Sequence, residues 1–455
     1  MMILQRHNIT KLFVFIYLLI AVWPLRIGFD GGGSIAVVQM LVLFIIFTLA
    51  IANSKGSLRL SADFDSTLLL VMLLYAILNI SIHGIFDSEN IPSQQRSLIA
   101  ILFIGLPFYI SRNFINIDIK IVVKMTVYGL GLLMLYNLFI YYIEGRMHYS
   151  ATGWRMVNQR DSVFINYLLL LSFSLIKMTR VFSLRYYIFN ATFFIAFLFM
   201  LFSYSKGGYL LLFISIVSIL VINKNTAKLF FIFVATIFLV NIAIDTYPAL
   251  SGTFKKVELL FDFVSRYDSD GSSMVRIETW SWILEHVSKS IELFLFGTGN
   301  SIYIYDVSLN IFGERVDIAT SESMYFDIIL RNGFVGLIIQ LSIFYRVIYI
   351  LIKMSRIDII NSIYYKNLMV FFFGVFIFCI FETPLKSPEF GIFFYFMYGI
   401  LVKKYNKLKL MTVAQSISKK NMGHDNLSMF KNLLKYRHES KKQVCDSFTY
   451  FRGQI

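Results

Sequence analysis

Charge is what this sequence has least of. Only 15% of its 455 residues are Asp, Glu, Lys or Arg, against roughly a quarter in a soluble domain. Proline is scarce, with 6 residues, and there are 2 cysteines: Cys379 inside an apolar run and Cys445 near the C-terminal end. Two thiols so placed exclude a disulfide framework and a structural zinc site. The low charge excludes soluble globular, disordered and fibrous classes together. What fills the sequence is apolar: 57% hydrophobic residues, with 47 Phe and 27 Tyr. Long apolar runs with so little proline describe helices. The expected fold class is therefore an all-α polytopic integral membrane protein.

The charge that is present is mostly positive, at net +15. From Lys403 onward twelve Lys or Arg stand against three Asp or Glu, which accounts for nine of those fifteen. A basic tail directly after an apolar run is a topological anchor that meets anionic headgroups. Membrane lipid, not nucleic acid, is the partner that this pattern implies.

A span takes about 20 apolar residues, with shorter ones tolerated. Apolar runs fall at 12–25, 35–52, 66–82, 98–110, 121–143, 163–176, 188–202, 209–222, 229–244, 332–352, 368–381 and 389–402, about twelve spans. The first is read as an anchor and not a cleaved leader, since Trp23-Pro24-Leu25-Arg26 offers no small-residue cleavage site. With both termini in the cytoplasm, the inner loops carry Lys55 and Arg59, Arg112 and Lys120, Lys177, Arg180 and Arg185, Lys224 and Lys228, and Lys353, Arg356 and Lys366. That distribution obeys the positive-inside rule. The organisation that follows is a first helix bundle over 1–244 with about nine spans, a large outer loop over 245–331, three last spans over 332–402, and a basic cytoplasmic tail over 403–455.

The 245–331 loop is far longer than a connection needs, and such loops are normally functional. Within it Val257, Leu260, Phe261 and Val264 recur at helical spacing, which predicts an amphipathic helix on the membrane face. Asp268-Ser269-Asp270-Gly271-Ser272-Ser273 reads as a breaker. A second helix is predicted from about Ser273 to Ser288, with Ile277, Trp280, Leu284 and Val287 on one face, closed by a turn at Gly297-Thr298-Gly299-Asn300.

Cations on the outer side run against the topological trend, so a group of them there points to an anionic ligand. Arg155, Arg160, Lys206 and Arg276 are the candidates. A planar, permanently charged guanidinium binds two oxygens at once and suits a pyrophosphate. Each of them alone is also what a solvated loop charge or headgroup anchor looks like. No His/Cys/Asp cluster has metal-ligand spacing, so neither metal nor cofactor is implied.

Four places in the chain resemble the superfamily of bacterial O-antigen polymerases and O-antigen ligases, which act on undecaprenyl-pyrophosphate-linked glycans. Ser205-Lys206-Gly207-Gly208, opening a span, is similar to that family's Ser-Arg-Gly turn. Arg276-Ile277-Glu278-Thr279-Trp280 followed by Gly297-Thr298-Gly299 resembles its Arg-x-x-x-Trp and Gly-x-Gly arrangement in the large periplasmic loop. Glu322-Ser323-Met324-Tyr325-Phe326, running on to Arg331-Asn332-Gly333 and Gly336, resembles its His-Asn-x-x-Leu and Gly segment. Gly153-Trp154-Arg155 with Asn158 is similar to its Arg/Asn-bearing loop. The resemblance covers about 120–402.

What the resemblance implies is a metal-independent membrane glycosyltransferase of the cell inner membrane. It would join oligosaccharide repeat units on the periplasmic side during lipopolysaccharide or capsule synthesis. Donor and acceptor would both be undecaprenyl-pyrophosphate-linked, and a chain-length regulator and a flippase would serve the same pathway. Arg155, Arg160, Lys206 and Arg276 would hold pyrophosphate, and Glu322 would act as base together with Arg276 in the catalytic centre. Trp280, Trp282, Tyr303 and Tyr305 would pack on sugar faces, or equally belong to an interfacial aromatic belt. Two departures matter. Lys206 stands where the family has Arg, and Glu322 where its ligases have His. His286, in the large loop, is on a helix face away from the motif and reads as a surface residue. The missing histidine favours polymerase over ligase. A flippase or transporter is the third reading, disfavoured because the spans hold few charges, Lys124 and Arg346 among them.

Overall fold

The computed structural model describes residues 16, 41–42, 44–48, 63–86, 105–113, 118–144, 148–150, 153–155, 162–201, 206–223, 271–299, 308–311, 314–317, 323–382 and 388–421. The chain divides into two units, Met1–Lys404 and Tyr405–Ile455.

Helices dominate. They are α1 (Phe64–Phe86), α2 (Ile119–Glu144), α3 (Ser162–Met178), α4 (Leu184–Leu201), α5 (Lys206–Asn223), α6 (Gly271–Val287), α7 (Ile291–Phe296), α8 (Met324–Ile357), α9 (Ser362–Phe378) and α10 (Pro388–Asn421). Residues 105–113 are also helical, and a single 3-10 turn at Ile359–Asn361 joins α8 to α9. Each of the apolar runs at 66–82, 121–143, 163–176, 188–202, 209–222, 332–352, 368–381 and 389–402 coincides with one of these helices. The runs at 12–25 and 229–244 lie outside the described residues, save position 16. By length and apolarity Met324–Ile357 and Ile359–Phe378 are each able to cross a membrane, and Phe64–Asn79, Ser162–Met178, Leu184–Met200 and Gly208–Val221 are shorter apolar helices.

The all-α expectation needs one amendment. Two short antiparallel hairpins are present, β1 (His148–Ser150) with β2 (Gly153–Arg155), and β3 (Ser308–Ile311) with β4 (Glu314–Asp317). Each joins its strands through two residues, between Ser150 and Gly153 and between Ile311 and Glu314. A two-residue connection closes a hairpin locally, with no need of a sheet. Segments of three or four residues are too short for alternation to have betrayed them.

Two helices contain long stretches that are buried on every side. In α3 every residue from Ser162 to Leu175 is buried, and α10 is buried throughout 390–402. α3 packs against α2, α4, α5 and α9. The Tyr167 ring meets Phe371 edge-on at 4.9 Å and Phe393 at 5.1 Å, and its hydroxyl lies 3.0 Å from the Thr126 hydroxyl on α2. Polar side chains stitch the same helices: Ser215 donates to Asn166 at 2.6 Å, and Asn367 donates to Ser174 at 2.7 Å. Such pairing satisfies polar atoms that water cannot reach.

α1 lies against α8. At one end of this pair the buried Asp65 accepts two bonds from the Arg346 guanidinium, at 2.7 and 3.1 Å, and one from the Tyr398 hydroxyl of α10 at 2.8 Å. Arg346 also lies over the Phe64 and Tyr349 rings, about 5 Å from each centroid. Beside it Asp63 pairs with Arg112 at 2.5 Å, and Arg112 donates to Ser66. These bonds leave Arg346 with a structural account; Lys124 is exposed. A charge buried in this way is tolerated only because it is paired and hydrogen-bonded.

Candidate functional site

The opposite end of the α1–α8 pair is built from the motif-bearing segments. α6 begins at Gly271, so the last three residues of the expected breaker already belong to the helix. Its buried face carries Thr279, Ile283 and Val287, while Leu284 is exposed. The inward stripe is thus rotated by about one residue from the one predicted, with Ile283 taking the place of Leu284. Ile283 and Val287 pack with Ile329 and Leu330 of α8, flanked by Trp282, Phe326, Phe334 and Leu337. The Trp280 ring stacks on Phe326 at 4.8 Å with 7° between planes. His286 stacks on Trp282 at 5.0 Å, and burial first, then the charge of Lys289, hold its pKa below the usual histidine value.

α7 is a short helix with both ends capped. The Ser290 hydroxyl accepts from the Leu293 amide at 3.1 Å, and the Gly297 amide donates back to the Leu293 carbonyl at 2.8 Å. Gly297 has φ 72 and ψ −164, a conformation open essentially to glycine alone. α7 then delivers Gly297-Thr298-Gly299 onto α8.

α8 is broken where that turn lands. Gly333, with φ 61 and ψ −171, interrupts the helix after nine residues. A break frees carbonyls that the next helical turn would have bonded, and all three of the residues before Gly333 have found replacements. The Leu330 carbonyl accepts from the Thr298 amide at 2.8 Å and the Thr298 hydroxyl at 2.9 Å. The Arg331 carbonyl accepts from the Gly299 amide at 2.9 Å and from the Asn79 side chain at 3.2 Å. The Asn332 carbonyl accepts from the Tyr75 hydroxyl at 2.6 Å. Glycine is required on both sides of the contact. A Cβ on Gly297 would lie 2.6 Å from the Arg331 carbonyl carbon and the Gly333 nitrogen, and one on Gly333 would strike the Leu295 carbonyl.

The segment of α8 before Gly333 carries an ion pair. Asp327, 5% exposed, pairs with Arg331 one turn on at 3.2 Å. The same segment is tied down at its start, where the Met324 amide donates to the Cys379 carbonyl at 2.9 Å and the Tyr325 hydroxyl to the Phe376 carbonyl at 2.6 Å.

The predicted site residues fall unevenly on this arrangement. Arg276 lies in α6 and is partly buried, and Trp280 is one turn further on with one ring face covered by Phe326. Arg155 is in β2, opposite His148 in the register of the hairpin. Lys206 is the first residue of α5, which packs with α3, α4 and α9, a different neighbourhood from that of α6. Arg160, Tyr303, Tyr305 and Glu322 lie outside the described residues, as does the amphipathic helix expected near 254–264. The structure thus joins the Arg276–Trp280 helix, the Gly-Thr-Gly turn and the Arg331-Asn332-Gly333 break. Tyr75 and Asn79 were not among the predicted site residues. They lie more than 200 positions from their partners, and the one signal available was an asparagine within an apolar run.

A family model described as O-antigen ligase matches residues 191–341. That stretch runs from within α4 to beyond the break in α8, so the three joined motifs all fall inside it. Over that stretch the chain is similar to the O-antigen ligase family. No curated protein matches the chain.

Proposed function

We propose that this chain is a polytopic membrane glycosyltransferase that polymerises undecaprenyl-pyrophosphate-linked oligosaccharide repeat units. Its site faces the periplasmic side of the inner membrane, and about twelve spans leave both termini in the cytoplasm. The observation that carries the reading is the meeting of α6, the Gly-Thr-Gly turn and the broken start of α8 at one end of the apolar helices. By the predicted topology this is the outer end of α1 and α8.

The chemistry asks little of the protein. A hydroxyl oxygen at the non-reducing end of one lipid-linked unit attacks C1 of the sugar that joins the growing glycan to its carrier. The C1–O bond to pyrophosphate breaks as the new glycosidic bond forms, and undecaprenyl pyrophosphate leaves with the electron pair. The hydroxyl proton passes to a carboxylate, for which Glu322 is the candidate. Negative charge accumulates on the leaving group, and Arg276, with Arg155, Arg160 and Lys206 as further candidates, would stabilise it. Asp327 is engaged by Arg331, which disfavours it as the base. Trp280, Tyr303 and Tyr305 are the candidate residues for stacking on a sugar. Glu322 in place of the ligase histidine favours polymer growth over transfer of finished polymer to lipid A core.

Deletion of the gene followed by glycan analysis tests the reading. Lipid core carrying a single repeat unit is the expected result. Full-length polymer retained on the undecaprenyl carrier would mean a ligase, and lipid-linked units accumulating on the cytoplasmic side would mean a flippase.

A further inference from the structure

We infer that Tyr75 and Asn79 of α1 are positioning residues for the transfer site, acting through the break in α8; the inference rests on the function proposed above. Asn79 is 4% exposed. Its amide nitrogen lies 3.0 Å from the Phe296 carbonyl, 3.1 Å from the Asn332 side-chain oxygen and 3.2 Å from the Arg331 carbonyl. All three neighbours are acceptors, which fixes the amide's orientation, and two hydrogens serving three acceptors means that one is shared. These bonds fasten both halves of the contact at once: Phe296 ends α7 just before the Gly-Thr-Gly turn, and Arg331 and Asn332 end the segment of α8 before Gly333. Tyr75, one turn earlier on α1, holds the last freed carbonyl, that of Asn332.

The geometry gives this clamp a job beyond holding two helices together. α1 is already tied to α8 by the bidentate Asp65–Arg346 pair, ten residues from Tyr75 in sequence and about 15 Å along the helix. The second attachment falls on the one place where α8 changes direction. It therefore sets the angle at which Met324–Asn332 leaves the rest of the helix. That segment follows Glu322 directly and carries Phe326, Asp327 and Arg331, and through Phe326 it meets Trp280 on the Arg276 helix. Tyr75 and Asn79 lie well outside the 191–341 match. The register of the site is thus set by a helix from the N-terminal half of the chain.

The experiment compares purified Tyr75→Phe, Asn79→Leu and Asn79→Asp with the unaltered full-length protein and with Arg276→Ala, in proteoliposomes given lipid-linked repeat units. Polymer formation is expressed per folded molecule, counted by fluorescence-detected size exclusion. Hydrogen exchange is followed at the Thr298 and Gly299 amides. Asn79→Leu is expected to speed exchange at both amides and to lower the rate at saturating substrate by about 10- to 100-fold, the scale of a misplacement near 1 Å. Tyr75→Phe is expected to fall between it and the unaltered protein. In Asn79→Asp an ionised carboxylate faces three acceptors, and protonation restores one donor. Its activity relative to the unaltered protein is therefore expected to rise as pH falls, which a loss of folded protein would not produce. Unchanged exchange in Asn79→Leu would overturn the clamp. Faster exchange with an unchanged rate per folded molecule would overturn the positioning role. Absence of polymer formation by the unaltered protein would instead refute the proposed function while exchange still reports on the clamp.

Discussion

Replacing Gly333 by alanine should cost the protein several kcal/mol, and the figure follows from two routes open to the variant. If the break persists, alanine must occupy a conformation that costs of order 1–3 kcal/mol for any residue but glycine. Its Cβ must also displace the Leu295 carbonyl, which is backbone and has no rotamer to adopt. If the helix straightens instead, five hydrogen bonds are lost: two from Thr298, and one each from Gly299, Asn79 and Tyr75. About three helical bonds are regained, for a net loss near two bonds at about 1 kcal/mol each. The straightened helix leaves the buried Asn79 amide short of a partner, adding about 1–3 kcal/mol. Either route exceeds about 3 kcal/mol. The assay is thermal unfolding in detergent with Gly131→Ala as reference, since a Cβ at Gly131 meets only Thr192 at 3.5 Å, an ordinary contact. Alanine in that helix interior should be neutral or stabilising by up to about 1 kcal/mol. Gly333→Ala melting within a degree or two of Gly131→Ala would refute the account of the break.

Arg276→Ala should abolish polymer while leaving normal amounts of protein in the membrane, and Arg276→Lys should also be impaired because the planar fork is lost; near-normal polymer from Arg276→Ala returns this residue to the solvated charges. Glu322→Gln separates a base from a helix cap: a stable protein with almost no polymer is expected, whereas ordinary chain length would move the base elsewhere, since a cap is worth only about 0.3–1 kcal/mol. With Cys379 and Cys445 replaced, a cysteine at Ser273 should react with an impermeant thiol reagent on intact cells and one at Ser416 should not; the reverse pattern would sink the topology. His286 titrates below its ordinary value, so the unfolded chain binds more protons than the folded one as pH falls through the mid-6 range, and stability should drop there. That part of the pH dependence should vanish in His286→Gln, and its persistence would assign the effect to another group.

The helices were legible because long apolar runs need only be counted. α3 and α10 show how much further the same signal reaches. A long stretch of mostly apolar residues is what a central helix requires, and both are buried on every side over fourteen and thirteen residues. The site was legible in its motifs but not in its assembly. Arg276, Trp280, the Gly-Thr-Gly turn and Gly333 were each visible as words in the sequence, and the structure joins them. Which face of α6 turns inward was misjudged by one residue, because Ile283 and Leu284 are equally apolar and periodicity alone cannot choose between adjacent aliphatics. The hairpin of Arg155 was missed because three-residue strands carry no period. Asn79 could be seen only as a polar residue among apolar ones. Its partners are the backbone of a break that exists only once the turn after α7 is in place.

The distance between Asn79 and the Arg331 carbonyl along the chain, 252 residues, is also an interval of time. At synthesis rates of about 5–20 residues per second, α1 leaves the ribosome some 10–50 s before the segment that completes its contacts. Through that interval a helix of mostly apolar residues holds an amide whose final acceptors have not yet been translated. On the proposed topology α1 is inserted with Asn79 and Tyr75 satisfied by something temporary, water at the membrane surface or the insertion machinery itself, and the arrival of α7 and α8 exchanges that provisional partner for the permanent one. A chain that stops before Phe296 leaves α1 with none of the partners that hold Asn79 and Tyr75.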